Sequence, residues 1–225
     1  MEAPAVRKGF GPTMPELLGR RWRYVWPVAI ALVVVAFAGW MIHRHHGHKG
    51  KVEVMVGRGA VQFNFIYTSP PLRPVSANEI RAVRAGLFVQ SMAVLPLSIP
   101  QYKGDVGSIL PIVAERVVAQ RAPASRYADV HVTDEGRARI NFNPGYYVAW
   151  EAKLRPSGRT VFARDYMLVP GSSRPEQDDP HPRRGAIVEL LSTHAGGVNA
   201  TADVGQVGAL KKPLRSFRFG TERPH

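Results

Sequence analysis

The chain has 225 residues, with thirty Lys and Arg against seventeen Asp and Glu, eight histidines and no cysteine. Lacking cysteine, it has no disulfide framework, thiolate metal site or thiol nucleophile. Eight cations and two acids give residues 1–51 a charge of +6, and twenty-two against fifteen give residues 52–225 a charge of +7. Such a balance favours anionic surfaces.

Near the start, Tyr24 to Ile42 reads YVWPVAIALVVVAFAGWMI, nineteen residues without a charge. As a helix it would span roughly 28 Å, close to the ~30 Å hydrocarbon core of a bilayer. Trp22, Tyr24, Trp26 and Trp40 sit at its edges, where amphipathic rings favour the headgroup level. Arg20, Arg21 and Arg23 precede it, and His43, Arg44 and Lys49 follow. The pattern predicts a single transmembrane helix. A signal peptide cleaved at Ala36-Phe37-Ala38 is the competing reading. The Arg cluster before the run points to a cytoplasmic N-terminus and a C-terminal domain outside the cytoplasm. In this reading the organisation is a mobile tail (1–23), the transmembrane helix (24–42), a basic His-rich linker (43–59), one domain (60–220) and a short tail (221–225).

Four histidines of the linker, His43, His45, His46 and His48, fall within six positions, a cluster that suits a transition metal or simply a basic juxtamembrane spacer. In the domain, Val61 to Tyr67 alternates as a half-buried strand does. Ser76 to Ala85 has helical character, and Leu87 to Leu97 reads as a strand ended by Pro96 and Pro100. Asp105 to Arg121 predicts the main helix, with Ser108 as its cap and Ile109, Ile112, Val113, Arg116, Val117 and Gln120 on one face. Tyr127 to Thr133 and Arg137 to Phe142 are strands about a turn at Asp134-Glu135-Gly136, and Asn143-Pro144-Gly145 makes the next turn. Tyr146 to Arg155 and Arg159 to Val169 form a hairpin closed by Pro156-Ser157-Gly158. Ala186 to Leu191 is another strand, Ala202 to Leu210 a short helix or turn, and Leu214 to Phe219 a closing strand. The expected fold class is α+β: the transmembrane helix, then an antiparallel-sheet sandwich packed with helices.

The FNFIY strand, the helix before a meander, GYYVAWEAKL beside RTVFARDYMLVP, RRGAIVELL and the closing LRSFRF together resemble the PsbP-like, Mog1-type sandwich family over roughly residues 60–220. The resemblance implies an exported or lumenal accessory protein, of a kind that often assists membrane complexes, generally without catalysis; no cofactor is expected. It carries no catalytic residue across.

No G-x-S-x-G, H-E-x-x-H or Walker pattern is present in the sequence. Glu176, Asp178, Asp179 and His181 crowd one proline-rich loop and offer oxygen ligands to calcium without the spacing of a calcium loop. His131, His194 and Ser192 are the residue types of a hydrolase, though spacing alone cannot bring them together. Charged residues within apolar strands are more informative: Arg139, Glu151, Lys153, Arg164 and Asp165, with Trp150 among them. They are either the wet face of a sheet or a polar groove for a partner's charged segment, anchored by neighbouring aromatics. The expected function is thus a non-catalytic, membrane-held binding or assembly domain with a protein partner, anionic lipid headgroups as a second contact and no nucleic acid. The alternatives are an extracytoplasmic hydrolase or metal-dependent enzyme, or a carrier of lipid or another small ligand.

Overall fold

In the computed structural model of the chain, the described residues are 27–37, 50–85, 87–100, 106–155, 157–171 and 183–222. The chain divides into two compact units, Met1–Lys49 and Gly50–His225. In the first, residues 27–37 are helical (α1). No helix among the described residues is long and apolar enough to cross a membrane. The expected transmembrane helix over 24–42 is corrected on this point; residues 24–26 and 38–42 lie outside the described residues.

The second unit is built mainly of strand. Its elements are β1 (Lys51–Arg58), β2 (Gln62–Ser69), β3 (Arg73–Ser76), β4 (Glu79–Arg84), β5 (Leu87–Ile99), α2 (Val106–Arg121), β6 (Tyr127–Ile140), β7 (Asn143–Leu154), β8 (Thr160–Leu168), β9 (Arg183–Ser192), α3 (Lys211–Ser216) and β10 (Arg218–Phe219). A short 3-10 turn covers Thr201–Asp203. One sheet has the order β1-β2-β10 and the other β3-β4-β5-β9-β8-β7-β6, with every pairing antiparallel. The α+β expectation is corrected accordingly: two antiparallel sheets form the unit, and α2 is the one long helix among its described residues.

Alternation along the strands fixes the layers. On β8 and β9, Phe162, Tyr166, Leu168, Ala186, Val188 and Leu190 turn towards the small sheet, where Met55, Phe63, Phe65 and Tyr67 meet them. The intervening Val161, Ala163, Met167, Ile187 and Leu191 turn the other way, towards Leu110, Val113, Ala114 and Val117 of α2. The large sheet is therefore packed on both faces, and each fully buried Leu, Ile or Phe contributes about 1.5–3 kcal/mol. Gly57 lies opposite Phe63 in register, and a Cβ there would collide with the Phe63 ring.

Several predicted elements change. The helical reading of 76–85 gives way to the β3–β4 hairpin, and of the predicted strand Leu214–Phe219 the first three residues end the helix α3 (Lys211–Ser216), leaving Arg218–Phe219 as strand. The predicted turn at Asp134-Glu135-Gly136 lies inside β6, a strand of fourteen residues with register shifts at 128/131 and 132/134. The actual turn before β7 is Asn141-Phe142, with Asn141 at φ 55°, a left-handed position that Asn tolerates. Ser108 sits within α2 and does not cap it.

Candidate partner-binding face

Arg164 and Asp165 are consecutive on β8, so they project to opposite faces of the large sheet. Each organises a separate polar cluster.

Asp165 lies beneath α2 and is wholly buried. Trp150, equally buried on β7, donates from Nε1 to Asp165 Oδ2 at 2.9 Å, and Tyr127 stands edge-on to the indole at 5.4 Å. Asp165 Oδ1 is buried with no hydrogen-bond partner among the described residues. Its register partner on β9 is Glu189, whose Oε2 lies 3.6 Å from Arg121 Nη2 at the end of α2. Burial, followed by the negative charge of Glu189, pushes the Asp165 carboxyl up from 3.8 to about 7, against the Trp150 hydrogen bond. Burial also raises Glu189, opposed chiefly by Arg121.

Arg164 faces the other way and is also buried. Its guanidinium carbon is 4.5 Å from the Tyr147 ring centre and 5.9 Å from that of Tyr166. Nη1 donates to the Ala202 carbonyl at 3.4 Å, and Nη2 is 3.7 Å from Asp134 Oδ2. Tyr147 donates to that same oxygen at 2.7 Å, a bond that raises the phenol's pKa ahead of the effect of burial. Further along β6 and β7, His131 Nε2 is 3.2 Å from Glu151 Oε1 and Lys153 Nζ is 2.9 Å from Asp129 Oδ2. The Lys153 hydrogen bond holds the Asp129 carboxyl below its ordinary range. These pairs lie on the terminal strand of the large sheet and its neighbour. Val130 and Val132 of β6 are 38% and 50% exposed; Val132 is in register with Trp150 and so lies on the α2 face, opposite to His131 and Glu151.

Of the residues singled out in the sequence, Arg164, Glu151 and Lys153 thus belong to the β6–β7–β8 side, while Trp150 and Asp165 meet beneath α2. Arg139 is exposed towards the other end of β6, opposite Pro144. Ser192 and His194 have separate contacts: Ser192 Oγ accepts from Gln90 at 3.0 Å and donates to the Thr193 carbonyl at 2.9 Å, whereas the exposed His194 ring stands edge-on to Phe162 at 4.8 Å. His43, His45, His46 and His48, and Glu176, Asp178, Asp179 and His181, lie outside the described residues. Among the described residues no group of three or more His, Asp or Glu is placed to hold a metal. Sequence reasoning missed Glu189 and Arg121. Their signal was one acid in an apolar strand and one cation ending a helix, which only the register joins.

No protein-family model matches the chain, and no curated protein matches it. The structure is similar to the solution structure of cyanobacterial PsbP (CyanoP) from Synechocystis sp. PCC 6803, with TM-score 0.44, 11% identity, and coverage of 76% of this chain and 93% of that one. It is more distantly similar to a protein of unknown function from Pseudomonas aeruginosa, with TM-score 0.26, 7% identity, and coverage of 65% and 72%. The first belongs to the family that the strands resemble in sequence.

Proposed function

We propose that the Gly50–His225 unit is a non-catalytic binding or assembly module for a membrane or envelope protein, and that the partner docks on the β6–β7 edge of the large sheet. The carrying observation is the charge pattern of that edge: Lys153–Asp129 and Glu151–His131 lie on one face of a strand that, among the described residues, has a neighbour on one side only, and the exposed Val132 lies on its other face. An extended segment added to such an edge gains main-chain hydrogen bonds, and side chains at alternate positions select it. The register shifts in β6 and its charged side chains protect the edge against indiscriminate pairing. Arg164, stacked on Tyr147, holds the adjoining surface in one arrangement, which lowers the ordering cost of binding. A second support is the packing of both faces of the large sheet by side chains.

The test is recovery of the tagged full-length protein from a detergent extract of its own cells, beside the charge-reversed Glu151→Lys/Lys153→Glu variant. The expected result is a stoichiometric partner with the native protein and its loss with the variant. Equal recovery from both would remove this face from consideration.

A further inference from the structure

The outward face of the small sheet differs from the rest of the molecule in charge. Met55, Phe63, Phe65 and Tyr67 occupy its inner face, so alternation and register turn Val52, Val54, Arg58 and Ile66 outwards, with Arg218 opposite Asn64 on the same side. Val52 and Val54 are 55% and 40% exposed. Next to β2 runs α3, fixed there by Ser216 Oγ, which accepts from Ile66 N at 2.8 Å and contacts the Ile66 carbonyl at 3.2 Å. Its exposed Lys211, Lys212 and Arg215 line an open groove of about 440 Å³. Across β1, β2, α3 and β10 there is one acid, Glu53, and it points inwards to accept from Tyr67 at 2.6 Å.

We infer that this face docks on an anionic lipid surface. Exposed valines match the boundary between headgroups and acyl chains. The cations of α3, with Arg58 and Arg218, match the phosphates, whose attraction reaches about a Debye length from the surface. The turned-in Glu53 leaves this attraction unopposed on the strands themselves. This surface is separate from the β6–β7 edge, so either reading can fail alone.

The full-length protein is sedimented with phosphatidylcholine vesicles, with and without phosphatidylglycerol, and the ratio of the two bound fractions is read. The N-terminal stretch and its flanking cations are the same in every variant, so comparing the ratio between variants cancels their contribution. The native protein favours the anionic vesicles, and the preference falls as salt rises. Lys211→Glu/Lys212→Glu/Arg215→Glu reduces the preference more than tenfold, in line with about fivefold for each cation near an anionic surface. Arg73→Glu/Arg84→Glu/Arg116→Glu, three exposed cations on β3, β4 and α2, carries the same change in net charge and retains most of the preference. Val54→Asp provides a second variant on the face and weakens binding should the triple variant fail to fold. Equal binding to both vesicles overturns the inference, as does equal loss from the two triple variants. Full competition by inorganic phosphate at matched ionic strength would also overturn it, by making the groove a free-anion site.

Discussion

Asp165 is the residue on which pH acts most directly. Its carboxyl sits at about 7 in the fold against the ordinary 3.8, so between those values the native state binds more protons than the unfolded chain. Stability is therefore full below about 4 and declines as pH rises through about 7; the raised Glu189 adds to the decline with the same sign. Asp165→Asn keeps an oxygen to accept from Trp150 and removes the charge. Urea unfolding at a series of pH values should show the variant with a flatter profile and a gain over the native protein at pH 8. A parallel decline in both would contradict the assignment. On the opposite face, the worth of Arg164 comes from its aromatic contacts. Arg164→Ala should cost about 1–2 kcal/mol through the lost stacking. Asp134→Asn should change stability by less than about 0.5 kcal/mol, because its pairing with Arg164 is 3.7 Å long and half open to water.

At the scale of elements, the close approach of strands is the sensitive feature. A Cβ on Gly145 of β7 would collide with the Met167 carbonyl of β8. Gly145→Ala should cost about 1–3 kcal/mol, the range for overpacked interiors, and thermal unfolding would report it. Strand β2 was legible from its alternation, and β5, β7, β8 and β9 from their largely apolar runs, since the large sheet is packed on both faces. Pro96 did not end β5, since β4 stops pairing at Ala93 and only β9 remains beside it; proline is tolerated where the missing N–H has no neighbour. Helix α2 was located correctly, but its buried face is Leu110, Val113, Ala114 and Val117, with Ile112 59% exposed. An apolar helix with few polar markers does not declare which face turns inwards. Strand β1 was read as linker because its valines alternate with polar residues outwards, the reverse of a core strand. The closing strand was read as Leu214–Phe219 from the spacing of Phe217 and Phe219, a signal too local to show that Leu214–Ser216 end the helix α3.

For the whole molecule, the sequence placed Arg164, Glu151 and Lys153 in one region but could not separate them from Trp150 and Asp165. That distinction needs the strand register, by which consecutive side chains part to opposite faces. The resulting unit carries a fixed charged edge at β6–β7 and, independently, a basic outer face on the small sheet. The most direct test of the account is photo-crosslinking in living cells from an unnatural side chain at Val132, compared with Leu87 on β5, which is 56% exposed. The account predicts one discrete protein adduct at Val132 and none at Leu87. No adduct at Val132, or the same adduct from both positions, would contradict it.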